Sequence, residues 1–166
     1  MSSAADDAPR AIAVVDVDGV LADVRHRLKH LDKRPEDWDA FFRAAPEDPP
    51  LGAGIEAARR LAEVCEIVYL SGRPERCRAD TVAWFERHGL PRGQLLLRPR
   101  RDFRPSKDYK VTVLRELSER APVAVLVDDD PAVLDAARQA GFDVLPATWM
   151  GDAGLLHEAQ EEDGRT

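Results

Sequence analysis

Two short stretches gather carboxylates at spacings that could do chemistry. VVDVDG sets Asp16 and Asp18 one residue apart ahead of Gly19, and VLVDDD sets Asp128, Asp129 and Asp130 in a row. Each closes an apolar, β-branched run, AIAVV in one case and VAVLV in the other. Such runs read as buried strands delivering their acids at the carboxyl end, where an open α/β sheet binds ligands. A solvated turn is the alternative for either stretch; a calcium loop at Asp16 fails because no Asp/Asn ladder and Glu follow it. If both strands lie in one parallel sheet, their acids meet. Each like-charged pair about 4 Å apart then costs roughly 4 kcal/mol at an effective dielectric near 20. Such a cluster takes up protons or a cation. With oxygen donors alone, the cation expected is Mg²⁺, held by one or two carboxylates and completed by water and phosphate oxygens.

The groups that could meet an anion lie between these acidic stretches. EIVYL, from Glu66 to Leu70, reads as a strand ending in Ser71, Gly72, Arg73 and Pro74. A hydroxyl, a flexible glycine and a guanidinium there make a compact oxyanion site, although a helix-capping serine explains Ser71 equally well. Pro74 suits the first turn of a helix that would carry Arg76, Trp84 and Phe85 to about His88. Ser106 can cap a helix with Lys107 and Lys110 in its first turns, against the dipole preference, which favours a functional placement for one of them. Arg25, Arg27 and their neighbours in VRHRLKHLDKR form the densest positive segment. It reads as a flap or short helix over the strand ends that attracts an anionic substrate, or as a solvated helical face. RPRRDFR, from Arg98 to Arg104, reads as a second basic loop. Trp38, Phe41 and Phe42 recur at helical spacing and read as packing residues rather than a base-stacking platform.

The elements that must position these groups alternate. Strand, flap, helix, strand, helix, strand, helix, strand, helix and strand follow in order, which implies a parallel sheet covered on both faces. Gly52 to Val64 is an amphipathic helix with Ile55, Ala58, Leu61 and Ala62 on one face, and Phe142 to Leu145 reads as the last strand. The 166 residues, 44% hydrophobic and 33% charged, fit one domain with a real core. A net charge of −7 argues against nucleic-acid binding by bulk electrostatics, though a locally basic groove is compatible with it. Cys65 and Cys77 are too few for a disulfide framework and read as buried thiols. With no apolar run long enough to span a membrane and no signal peptide, a soluble cytoplasmic protein is expected. Residues 1–9 read as a flexible N-terminus, 10–150 as the folded domain with an insert at about 22–51, and 151–166 as an acidic tail, a loose helix or disordered.

Taken together, VVDVDGVLAD, VYLSGRP, Lys110 and VLVDDDP resemble the four ordered motifs of the haloacid dehalogenase (HAD) superfamily of phosphotransferases. DVDGVLAD, SGRP, DFRPSKDYK and VDDDP together look most like the 3′-phosphatase domain of phage polynucleotide kinase-phosphatase enzymes, and the likeness covers most of the chain. It implies a three-layer, Rossmann-like α/β fold with helices on both faces of the sheet and a small flap or helical insert after strand 1, too short for a large cap domain. It also implies a Mg²⁺-dependent phosphomonoesterase. In that reading Asp16 is the nucleophile, Asp18 the acid and base, and Ser71 and Lys110 hold the transferring oxygens. Asp16, Asp18 through its backbone carbonyl, Asp128 and Asp129 surround the metal. Arg27 and Arg73 meet the substrate, with DNA or RNA 3′ ends as partners, and Gly72 and Arg76 beside them read as further substrate contacts. Two departures stand out: Ser106 sits where relatives can carry an acidic residue, and no P-loop for a kinase half occurs. A phosphatase of a nucleotide or small metabolite, and a phosphate-binding module without turnover, remain alternatives.

Overall fold

The computed structural model describes residues 8–151 and 154–164. Its centre is a five-stranded, wholly parallel sheet in the order β3-β2-β1-β4-β5. The strands are β1 (Ile12–Val15), β2 (Glu66–Pro74), β3 (Gly93–Arg98), β4 (Val123–Asp128) and β5 (Val144–Pro146). β1 lies in the middle, so the carboxyl ends of β2 and β4 flank Asp16 directly. This is the arrangement that the two acidic runs call for.

Alternation along the strands builds two cores. Ala13 and Val15 of β1, with Ile67 and Tyr69 of β2, meet α2 (Gly52–Val64) and α3 (Arg78–Arg87) through Ile55, Ala58, Trp84 and Phe85. Ile12, Val14, Val68 and Leu70 face the other way onto α4 (Ser106–Arg120) and α5 (Pro131–Gln139) through Leu114, Leu117, Val133 and Ala137. Because both faces are covered, β1 reads as an unbroken apolar run.

The insert after β1 holds a 3₁₀ turn at Arg25–His30, the helix α1 (Trp38–Arg43) and a 3₁₀ turn at Ala45–Glu47. Val24, Leu31, Phe41 and Phe42 pack there with Leu156 and Ala159 of α6 (Gly154–Asp163) in a third core. A loose or disordered tail was the expectation. The helix is held because Leu156, Ala159 and Gln160 bury the one face that its acidic composition leaves apolar or neutral.

Other boundaries differ from the pattern reading. β2 does not stop at Leu70 but runs on through Pro74, which pairs with Arg98, so the proline ends a strand instead of opening a helix. Arg76 accordingly lies in a 3₁₀ turn, Glu75–Cys77, ahead of α3. The last strand starts at Val144, not Phe142. Ser106 makes no cap: Pro105 occupies the capping position, and the buried Ser106 hydroxyl has no hydrogen-bond partner.

Candidate active site

Asp16 follows β1 and is 2% exposed; its Oδ1 accepts from Val17 N at 2.8 Å. Asp128 ends β4 and is fully buried; Asp130 N donates to its Oδ1 at 2.9 Å. Lys110, projecting from α4, lies between them, with Nζ 2.6 Å from Asp128 Oδ2 and 3.1 Å from Asp16 Oδ2. Asp129 closes the group, and one oxygen from each of Asp16, Asp128 and Asp129 falls within 4.8 Å of the others. That closeness needs a glycine opposite. Gly19 has φ +80°, and a Cβ there would run into the Asp129 carboxylate.

One ammonium is too little charge for three carboxylates. Burial pushes Asp16 well above the usual carboxylate range, with Asp128 and Asp129 adding to the rise and Lys110 opposing it. Burial likewise lifts Asp128 to about 6, again against Lys110. Lys110 itself, which burial alone would depress, is raised by Asp128 and Asp16 and stays charged. Asp129 Oδ1 is buried without a hydrogen-bond partner, and Asp16 Oδ2 has only the Lys110 ammonium at 3.1 Å. A hard divalent cation suits this donor set, since carboxylate oxygens converging from three residues in excess of the nearby positive charge are what Mg²⁺ takes.

Asp18 faces the other way. Its Oδ1 accepts from Arg73 Nη2 at 2.6 Å, Arg73 Nε at 2.9 Å and Arg27 Nη2 at 2.9 Å. Both guanidiniums are shared with Asp48: Arg27 reaches it at 2.7 and 2.8 Å, and Arg73 at 3.1 Å. Arg73 Nη1 also donates to Thr81 Oγ1 at 3.0 Å, and the Arg27 guanidinium sits 4.1 Å above the Phe41 ring. Burial would raise Asp18, but the two arginines overcome it and hold the carboxyl down at about 2. Asp18 is therefore firmly ionised, and its side chain is turned from the metal-side group.

The fold thus brings Asp16, Asp18, Ser71, Arg73, Lys110, Asp128 and Asp129 to adjacent strand ends. Ser71 is buried, its Oγ accepting from Arg73 N at 3.1 Å, with Gly72 between them in β2. Arg27 also reaches the site, but as a fully buried partner of two carboxylates. Arg76 stays at the exposed rim, paired with Asp39 at 2.6 Å. Two residues escaped the sequence reading. Asp48 sat within PEDPP, where the prolines dominated the pattern; it is 3% exposed and its backbone oxygen accepts from Trp84 Nε1 at 2.9 Å. His157, in the acidic tail, places Nε2 2.8 Å from Asp129 Oδ2. Only a lone histidine among acids marked it.

This architecture and acidic centre define an HAD-like hydrolase. The profile of the "Polynucleotide kinase PNKP phosphatase domain" family matches residues 9–148, and the chain belongs to that family of HAD phosphatases. A search of curated proteins found no match. Among solved structures, the Pnkp1/Rnl/Hen1 RNA repair complex aligns with a TM-score of 0.70 at 20% identity, over 87% of this chain and 44% of that one. The HAD-like hydrolase SP0104 from Streptococcus pneumoniae aligns at 0.58 and 14% identity over 92% of both chains. The HAD-hydrolase YfnB from Bacillus subtilis, bound to magnesium, aligns at 0.55 and 11% identity over 82% of this chain and 87% of that one. At these identities the likenesses establish the fold. The chain spans under half the length of the RNA-repair chains it matches. Among the described residues no helix is long and apolar enough to cross a membrane.

Proposed function

We propose that the protein is a Mg²⁺-dependent phosphomonoesterase that works through an aspartyl-phosphate on Asp16 and removes 3′-phosphates from polynucleotide ends. The observation that carries the phosphoryl-transfer reading is the buried, charge-deficient group of Asp16, Asp128 and Asp129 around Lys110, with Asp129 Oδ1 left unpartnered, and the family match supports the polynucleotide end. Mg²⁺ held by Asp16, Asp128 and Asp129, with the Asp18 carbonyl, would neutralise charge on the transferring phosphoryl group.

An Asp16 oxygen attacks phosphorus as the ester oxygen leaves, so one hard displacement becomes two easier ones. Lys110 and the Ser71 hydroxyl take the equatorial oxygens. Asp18 then deprotonates the water that attacks the acyl phosphate, regenerating Asp16 and releasing phosphate. The ionised state held by Arg27 and Arg73 suits that second step. Protonating the leaving oxygen in the first step needs Asp18 in its acid form, which release of an arginine to the substrate phosphate would favour.

A nucleotide or small phosphorylated metabolite is the competing substrate class. It gains support from the engagement of Arg27 and Arg73 with internal carboxylates, which leaves fewer arginines for a polynucleotide backbone. The deciding measurement is phosphate release with Mg²⁺ from an oligonucleotide bearing a 3′-phosphate, beside a 3′-mononucleotide, a 5′-mononucleotide and a sugar phosphate. Strong preference for the oligonucleotide, abolished in Asp16→Asn and weakened in Arg73→Ala, is expected. Equal turnover of the small esters removes the polynucleotide reading, and absence of any metal-dependent turnover removes the enzyme.

A further inference from the structure

Beside the site, across the ends of β2 and β3, lies a cleft of about 150 Å³ that none of the catalytic roles uses. Its lining is aromatic on two sides, Trp38 and Phe42 from α1 and Phe103 from the loop after β3, with Arg76, Arg100 and Arg101 outnumbering the one carboxylate, Asp102. Drug-sized ligands take pockets of roughly 300 Å³ or more, so this one suits a single ring system. Trp38 and Phe42 are already stacked, centroids 5.7 Å apart at 26°, while Phe103 stands 57% exposed on the opposite loop.

The loop is held in shape. Arg98, buried and with its guanidinium 4.6 Å over the Tyr109 ring, donates to the backbone oxygen of Arg104 at 3.0 Å. The Asp102 carboxylate accepts from Arg104 Nη2 at 2.7 Å and from Arg104 N at 3.2 Å. Arg101 between them has φ 67°, a conformation that a non-glycine residue adopts only when its surroundings impose it. The arginines are available to an anion: Arg76 is engaged by one exposed carboxylate, Asp39, and such pairs contribute little. A cluster of guanidiniums in a chain of net charge −7 selects an anionic occupant, and the aromatic wall selects a flat one.

We propose that this cleft holds a nucleobase of the substrate strand, stacked against Phe103 and Trp38, with Arg76, Arg100 and Arg101 on the flanking phosphates. The inference rests on the polynucleotide reading and adds to it a subsite upstream of the 3′-phosphate. β2 is level with Asp16 at Leu70 and reaches the cleft at Pro74, four residues or about 13 Å further along the strand, and with the sideways step of about 5–10 Å the cleft lies on the order of 15 Å from Asp16, within reach of the last few nucleotides of a single strand. Aromatic stacking of this kind reads no sequence, so one site would serve any 3′ end.

The test uses the full chain carrying Asp16→Asn and a 3′-phosphorylated oligonucleotide with 2-aminopurine at each of its last three positions in turn. Quenching of the probe at one position is expected. Phe103→Ala should abolish the quenching and weaken binding about tenfold, the size of one lost base stack. Trp38→Phe, which keeps a ring in the flap, should retain part of it. On the Asp16 protein, an abasic residue at that position should raise KM, and Phe103→Ala should add nothing further, because both changes remove the same contact. Quenching and KM unchanged in Phe103→Ala, with the oligonucleotide still preferred over small esters, overturns the cleft and leaves the proposed activity standing. Preference for small esters overturns both.

Discussion

Asp16 and Asp18 leave the same strand two residues apart, are buried to the same extent, and titrate in opposite directions. Burial penalises both equally, so the difference lies in their partners. On one side, Asp16 and Asp128 share the ammonium of Lys110 while Asp129 beside them pairs with His157, and Asp16 is pushed well up. On the other, Asp18 and Asp48 share two guanidiniums, and Asp18 falls to about 2. Both carboxylates lie past Val15, the last residue of β1, where the chain bends, so the rule that residues two apart share a strand face no longer holds; each meets different neighbours, and those neighbours set its charge. One side wants a cation from outside; the other supplies its own.

Exchanging each aspartate for its amide tests this most directly. Asp16→Asn should lower turnover by about 10⁴-fold or more. Yet it removes a repelled charge, so without metal the variant should melt at the same temperature as the parent or higher. Asp18→Asn should lose turnover too, but it leaves Arg27 and Arg73 buried with Asp48 alone and should cost about 3–5 kcal/mol. Calorimetry of the pair in chelator decides: equal destabilisation would mean the two sides do not differ in charge balance.

Lys110→Met sharpens the contrast from the metal side. It leaves Asp16 and Asp128 with no cation of the protein's own and Asp129 with His157 alone, and the same loss of about 3–5 kcal/mol is expected in chelator. Here Mg²⁺ should restore part of the loss, since a ligand at 100 times its Kd stabilises by about 2.7 kcal/mol. Asp48→Asn, on the arginine side, should show no such rescue. Melting temperatures with and without Mg²⁺ read both, and rescue of Asp48→Asn would break the division.

The two sides were unequally legible in the sequence. β1 and β4 announced themselves because a strand covered on both faces has no polar positions, so the carboxylates at its end stand out against an unbroken apolar run. Lys107 and Lys110 were visible together as lysines in the wrong place on a helix, and only the family resemblance singled out Lys110. The arginine side was half hidden. Arg73 followed a recognisable strand end, but its partner Asp48 lay in a proline-rich turn whose pattern speaks only of chain reversal. β2 was cut short at Leu70 because Ser-Gly-Arg-Pro has poor strand propensity; its pairing with β3 at Pro74 and Arg98 is a tertiary effect. α6 was misjudged for a similar reason. Ten residues with four carboxylates read as solvated, and only the neighbouring flap shows that Leu156 and Ala159 have a surface to cover.

The smallest expected effect separates the metal-side acids from a third carboxyl beside them. Glu161 of α6 is raised to about 7, first by burial and then by Asp130, with Lys107 opposing. Its unperturbed value is 4.5, so between about 4.5 and 7 the folded state holds a proton that the unfolded state has lost. Stability must therefore fall as pH rises through that window. Asp128, raised from 3.8 to about 6, imposes the same slope at lower pH. Asp18 runs the other way: its contribution is complete above 3.8 and is lost as pH drops through about 2. Mg²⁺ should flatten the part due to Asp128 and Asp16, both raised, by replacing their protons, while leaving Glu161 untouched. Glu161→Gln should remove the part that Mg²⁺ leaves between about 4.5 and 7. Melting temperature against pH from 4 to 8, for both proteins with and without Mg²⁺, resolves the two; if Mg²⁺ alone removed the whole slope, Glu161 would belong to the metal side.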